Sequence, residues 1–203
     1  MQEDEVISIL QNDLKFSENS ISKLKIYVKE LLIANKNHNL ISKSTENTVW
    51  HRHVLDSAQL VKFINFNEQS LCDLGSGAGF PGIVLGIFNK NPNFHVKLYE
   101  KSPVKRSFLT NVINKLLLKI EVLDDVYREI IVSDYIVCRA FKKLDRVIQV
   151  SREIAKKPHK LIVLKGQNAQ EEINKAFKKE KYNYKLEKSM TNEYSKIILV
   201  DFI

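Results

Sequence analysis

Four of the chain's six glycines fall within ten residues, Asp73-Leu74-Gly75-Ser76-Gly77-Ala78-Gly79-Phe80-Pro81-Gly82. The apolar run Ser70–Leu74 leads into them, and the apolar segment Gly82–Phe88 leaves them. A strand that turns through glycines into a helix needs positive φ, and it lets a ligand approach the backbone closely. Such a turn belongs at the carboxyl edge of a parallel sheet, where open α/β folds bind their ligands.

The rest of the chain supplies that sheet. The spacing predicts strands at Ser70–Leu74, Phe94–Tyr99, Ile120–Leu123, Tyr135–Cys138 and Lys160–Leu164, alternating with helices at Gly82–Phe88, Val104–Leu118, Leu144–Ala155 and Gln170–Lys179. Alternation of this kind gives right-handed βαβ units. Two further strands, Tyr182–Lys188 and Lys196–Phe202, have no helix between them and form an antiparallel hairpin at one edge. Residues 1–65 show helical periodicity only: Val6, Ile9, Leu10 and Leu14, then Ile21, Leu24, Val28, Leu31 and Leu32, then Val49 to Ile64 with Thr45 as N-cap. The expected fold is α/β and Rossmann-like: a mainly parallel seven-stranded sheet with an antiparallel C-terminal edge and an N-terminal helical extension. The expected organisation is a helical extension, 1–65, packed on a sheet domain, 66–203, as one compact unit.

Composition narrows the partners. The 203 residues carry a net charge of +8, which favours polyanions such as nucleic acid. No apolar run approaches the ~18 residues of a membrane span. The start, Met1-Gln2-Glu3-Asp4-Glu5, is acidic, unlike a signal peptide. Cys72 and Cys138 sit in apolar runs without metal-type spacing, which points to buried thiols in a reducing, cytoplasmic setting and to no metal site.

The glycine stretch fits two cofactor patterns. Gly77, Gly79 and Gly82 spell the dinucleotide fingerprint, and Asp73, Gly75, Gly77 and Gly79 the pattern of methyl-donor sites. Glu100, ending the second strand, suits the ribose hydroxyls of an adenosine in either case. Three features favour the methyl donor S-adenosylmethionine (SAM). Asp73 is an acid at the strand end, suited to the donor's cationic amino group. Phe80-Pro81 removes an amide that a pyrophosphate would use. The late antiparallel edge also suits methyltransferases.

Asn39-Leu40, Arg52-His53-Val54-Leu55-Asp56-Ser57, Asp73–Gly82, Lys105-Arg106-Ser107-Phe108-Leu109, Arg139-Ala140-Phe141 and Lys165-Gly166-Gln167 occur in an order and spacing that resemble the small-subunit ribosomal RNA guanine-N7 methyltransferases, the glucose-inhibited division protein B family. The resemblance covers nearly the whole chain. It implies the class I SAM-dependent methyltransferase fold. It also implies methylation of guanine N7 at position 527 in the 530 loop of 16S ribosomal RNA, with free RNA or the small ribosomal subunit as substrate and a monomeric enzyme. It carries the cofactor positions to Gly75, Phe80, the pair Tyr127-Arg128, and Arg139. Two departures stand out: Arg128 replaces the family's usual acid, with Asp124 or Asp125 as substitutes, and Glu100 stands where Asp is frequent.

Guanine N7 bears a lone pair and no proton, so its methylation needs positioning rather than a general base. The sequence agrees: it has no Asn-Pro-Pro-aromatic motif and no loop cysteine. Arg139 at the end of the fourth strand is read as the group that orients the target base. The alternative for Arg139 is a salt bridge to Asp134 or Asp145. Lys165 is assigned to a phosphate and Gln167 to a base edge. Arg52 and His53 are placed on the RNA side, with an Arg52–Asp56 pair at i,i+4. Lys101, Lys105 and Arg106 are candidate phosphate contacts. Two other functions fit the same residues: a methyltransferase for a small molecule or protein, and a noncatalytic nucleotide-binding module.

Overall fold

A computed structural model describes residues 1–178 and 182–202, the side chain of Arg128 excepted. Seven strands, β1 (Ser70–Leu74), β2 (His95–Tyr99), β3 (Ile120–Leu123), β4 (Tyr135–Arg139), β5 (His159–Lys165), β6 (Tyr184–Lys188) and β7 (Lys196–Phe202), form one sheet in the order β3-β2-β1-β4-β5-β7-β6. β1 to β5 are parallel, whereas β7 runs antiparallel between β5 and β6. The order reverses beside β1, so the loops after β1 and β4 diverge and leave a crevice between them.

The central strands are apolar on both faces because both faces are covered. Leu71, Tyr135, Val137, Ile162 and Leu164 point into one core, and Cys72, Leu74, Ile136, Cys138, Leu161 and Val163 into the other. The first core is roofed by α1 (Glu3–Asn12), α2 (Glu18–His38), α4 (Gly82–Phe88) and α5 (Pro103–Lys115), the second by α6 (Leu144–Ile154) and α7 (Ala169–Ala176). Cys72 and Cys138 are free and buried, and burial pushes their thiols up to about 11 and about 12. A thiol held protonated in this way is a poor nucleophile.

The N-terminal helices share the first core with the sheet. Ser17 caps α2, whose Ser20 hydroxyl donates to Ile87 O at 3.1 Å, while Tyr27 donates to Ala78 O at 2.7 Å. The third helical segment departs from expectation. In place of one helix from Val49 to Ile64 there is a 3-10 turn (Lys43–Thr48), a wide π turn (Trp50–Leu55), a single α turn, α3 (Asp56–Ala58), and a second 3-10 turn (Gln59–Phe63). Thr45 is not an N-cap: it lies inside the first 3-10 turn, and its hydroxyl donates to Ser42 O. The π turn changes the stagger of side chains around the helix, a feature frequent at functional sites.

Elsewhere the ends shift by a few residues. α5 stops at Lys115 because Leu117 takes a φ of +52°. Lys179, the expected end of the last helix, lies outside the described residues. No described helix is long and apolar enough to cross a membrane.

Candidate active site

The glycine loop is held from beneath by β2. Gly75 and Ser76 both donate backbone N–H to Tyr99 O, at 2.9 and 3.0 Å. Gly77, with φ +59°, donates to Glu100 Oε2 at 2.8 Å, and a Cβ there would meet nothing closer than 3.9 Å. The loop therefore presents bare backbone to open space, as a closely approaching ligand requires. At Gly75, φ +70°, a Cβ would sit 2.5 Å from the ring of Phe141. This glycine lets the loops after β1 and β4 meet.

Above the loop lies a cavity of about 910 Å³. Gly75, Ser76, Gly77 and Phe80 line it from the loop after β1, Glu100 and Lys101 from the turn after β2, and Lys105 from α5. Asp124 and Val126 follow β3, Arg139 and Phe141 follow β4, and Lys165 and Gln167 follow β5. Such a volume takes a drug-sized ligand with room for more. Arg52, His53 and Asp56 wall it on the side of the N-terminal helices.

Arg139 organises that wall. Its Nη1 donates to Arg52 O at 3.0 Å and to Asp56 Oδ2 at 3.4 Å, and its Nη2 donates to His53 Nδ1 at 2.7 Å. The guanidinium also lies 5.1 Å from the centre of Phe80, on which the His53 ring stacks at 5.1 Å. Because arginine only donates, His53 Nδ1 accepts, so Nε2 carries the proton and donates to Thr45 Oγ1 at 2.9 Å. Burial and the charges of Arg139 and Arg52 lower the His53 pKa to about 3. His53 is thus a neutral bracket that fixes Arg139, and its one basic nitrogen is occupied. Asp56 has further donors: Thr191 Oγ1 reaches its Oδ1 at 2.9 Å, and Gln59 Nε2 at 3.1 Å.

The structure corrects several sequence readings. Asp73 is wholly buried beneath the glycine loop and does not line the cavity; Oδ2 accepts Gly82 N–H at 2.9 Å, which ties the strand end to the start of α4. Its Oδ1 is buried without a hydrogen-bond partner, and burial raises its pKa to about 7. Gly79 faces inward, where a Cβ would meet Ile83 at 2.6 Å and Tyr27 Oη at 3.0 Å. The ring of Tyr127 stands outside the cavity, and its neighbour Val126 lines the wall instead. Arg128 ends the short turn Val126–Arg128, and its side chain lies outside the described part.

The predicted Arg52–Asp56 pair is replaced by Arg139–Asp56, because the π turn breaks the i,i+4 stagger. Neither alternative partner of Arg139 is used: Asp134 pairs with Lys157, and Asp145 with Lys175. Lys165 reaches the cavity but is committed to Glu172 at 2.8 Å and to Lys142 O. Arg106 donates to Glu100 O and Lys101 O, bracing the end of β2 rather than gripping a phosphate. Gln167, Lys101 and Lys105 remain on the rim.

A sheet of this order, with a glycine loop after β1 and an acid after β2, can be compared with known proteins. The family model of GidB, rRNA small subunit methyltransferase G, matches residues 20–197. The chain belongs to the GidB family. Ribosomal RNA small subunit methyltransferase G of Orientia tsutsugamushi (strain Ikeda) is 35% identical over 96% of each chain. That of Rickettsia akari (strain Hartford) is 35% identical over 92% of this chain and 96% of its own. Among solved structures, a SAM-dependent methyltransferase of Aquifex aeolicus matches 84% of this chain and 98% of its own at 15% identity, with a TM-score of 0.62. The cofactor-bound Rv0187 from MTB covers 98% and 97% at 11% identity and the same score. The fold is that of SAM-dependent methyltransferases.

The GidB site also contains residues that the sequence did not single out. Thr191 and Ser195 wall the cavity from the loop between β6 and β7. A polar turn carries no mark of what it will face, and no signal in the chain could have found them. Thr45 and Asp56 were visible, but as a cap and as a local ion pair. Among the described residues, no group of three metal-ligating side chains converges.

Proposed function

We propose that this GidB-family protein transfers a methyl group from SAM to N7 of a guanine in small-subunit ribosomal RNA, the guanine at position 527 of the 530 loop by family resemblance. The observation that carries the reading is the wall around Arg139. It offers hydrogen-bond donors for a base edge, and His53, Asp56, Glu100 and Glu172, the groups there that could serve as a general base, are each engaged. His53 Nδ1 takes Arg139, Asp56 takes Arg139, Gln59 and Thr191, Glu100 takes the amides of Gly77 and Ser102, and Glu172 takes Lys165 and the amide of Leu144. An acceptor that already bears a lone pair needs no proton removed, so positioning suffices.

The residues fit the donor. The bare backbone at Gly75 and Gly77 offers a cradle, Glu100 lies where ribose hydroxyls would be met, Asp124 and Val126 offer the adenine side, and Phe80 the floor beneath Arg139. SAM supplies an electrophilic methyl group on a sulfonium. Arg139 keeps Nε–H and one Nη2 hydrogen free of protein partners among the described residues, which suits a hydrogen bond to guanine O6 that orients the ring and leaves the N7 lone pair open to the methyl group. Asp56 offsets the arginine charge, which would otherwise oppose the cation formed on the methylated ring. Arg52, Gln167 and Lys105 meet the RNA around the base, residues 1–65 belong to the same compact unit as the sheet, and the enzyme works in the cytoplasm as a monomer.

The test uses small subunits from cells lacking the protein, incubated with labelled SAM and the purified chain. The expected result is one 7-methylguanosine at position 527, mapped by mass spectrometry. Label on another base, or none, overturns the proposal.

A further inference from the structure

Just outside the cavity mouth an aromatic ring stands in solvent between two ammonium groups. Tyr127 is 40% exposed, although the residue before it, Val126, is buried in the wall. Lys101 Nζ lies 5.4 Å from the ring centre and Lys142 Nζ 5.8 Å. Lys142 Nζ also lies 5.4 Å from the centre of Phe141, whose ring lines the cavity. Phe141, Lys142, Tyr127 and Lys101 therefore form a chain of ring and cation in turn, its two ends, Phe141 and Lys101, on the cavity wall and its middle pair outside it.

Folding does not explain this arrangement. An exposed ring adds little to a core, and none of the ion pairs among the described residues involves Lys142. Lys101 is shared with Asp125 at 3.2 Å. Rings alternating with cations are what proteins use to track single-stranded nucleic acid: bases stack on the rings and phosphates meet the cations. Each ring lies within about one side-chain length of Lys142, so a base in the cavity and its neighbour outside it can share that lysine through the phosphate that joins them.

We propose that Tyr127, Lys142 and Lys101 form a landing track for the nucleotide adjoining the methylated guanine, its base stacked on Tyr127 and its phosphates on the two lysines. The track rests on the reading of the substrate as ribosomal RNA, and it assigns the Tyr127 ring to RNA rather than to the cofactor. Stacking of this kind is indifferent to base identity. The track thus anchors the strand, and recognition of the guanine stays with the cavity.

The experiment measures binding of unmodified 16S RNA transcript at several salt concentrations, and binding of S-adenosylhomocysteine by calorimetry. Tyr127→Ala is expected to weaken RNA binding about tenfold and to leave S-adenosylhomocysteine affinity unchanged, with Tyr127→Trp restoring RNA binding. Lys142→Gln is expected to make the slope of log affinity against log salt shallower by about one. The track is overturned if Tyr127→Ala binds the transcript like wild type, or if it loses S-adenosylhomocysteine affinity to the same degree. Wild-type protein that binds no transcript overturns the ribosomal RNA reading and the track with it. Binding by wild type that Tyr127→Ala leaves intact removes the track alone.

Discussion

Arg139 shows how a strand end becomes a tool. β5 and β1 flank β4 and fix its backbone, and the side chain leaves the sheet edge toward three acceptors: a carbonyl, a carboxylate and an imidazole. Arg139→Ala should lower turnover strongly, since a misplacement of about 1 Å costs roughly a hundredfold. Folding should suffer as well, by about 1–3 kcal/mol, because Asp56 and His53 lose a donor in a half-buried place. Lysine should rescue poorly, lacking the planar fork. Single-turnover methylation and denaturant unfolding on the same preparations check this, and wild-type turnover in Arg139→Ala would refute it. Asp73 gives a different signature. Its pKa is raised from 3.8 to about 7, burial being the largest cause, so the folded state holds a proton that the unfolded chain releases. The stability this contributes is complete below pH 4 and is lost as pH rises toward 7. Asp73→Asn, which keeps an acceptor for Gly82, should flatten that part of the stability profile. Urea midpoints measured from pH 4 to pH 7.5 decide it.

At the scale of elements, the strands were legible because the hydrophobic period switches cleanly and glycine ends β1. Ser70–Leu74, Gly82–Phe88 and Ile120–Leu123 were read with their observed ends. The third helical segment was not, because a π turn has no propensity signal and depends on side chains that answer to the tertiary fold. Ser57 Oγ donates to His53 O at 2.7 Å, and Thr45 holds His53 from the preceding turn. The loop between β6 and β7 was legible only as the connection of a hairpin, yet it docks on this segment. Gln59 is buried, donates to Ser189 Oγ and accepts Met190 N–H, while Thr191 bonds Asp56. Thr191 is therefore a positioning residue acting on Arg139 through Asp56. Thr191→Val should reduce the methylation rate about two- to tenfold, the worth of one hydrogen bond, with little change in KM for RNA. Thr191→Ser should recover it. An equal loss in both variants would mean that the loop matters by shape and not through the hydroxyl.

The whole molecule raises the question of what the N-terminal helices are for. In sequence they read as an extension, residues 1–65, packed on the sheet domain as one compact unit. In the structure α4 is only seven residues long, and five of them are buried. A helix that short is unstable alone. It is held between the sheet, where Gly82 lies against Leu98 and Asp73, and α2, where Ser20 bonds Ile87 O and Tyr27 bonds Ala78 O. Tyr27 is wholly buried and supports the glycine loop from below, so α2 holds the loop in place. Removing residues 1–65 would expose α4 and one face of α5, and would strip Arg139 of Arg52, His53 and Asp56 at once. A chain of residues 66–203 should accordingly show no cooperative thermal transition and no binding of S-adenosylhomocysteine. Tyr27→Phe, by contrast, should fold with a loss of about 1 kcal/mol and bind S-adenosylhomocysteine more weakly, because only the support beneath Ala78 is gone. Calorimetry on the three chains checks both. A truncated chain that melts cooperatively and binds like the full protein would show that the sheet and its glycine loop stand without the helices.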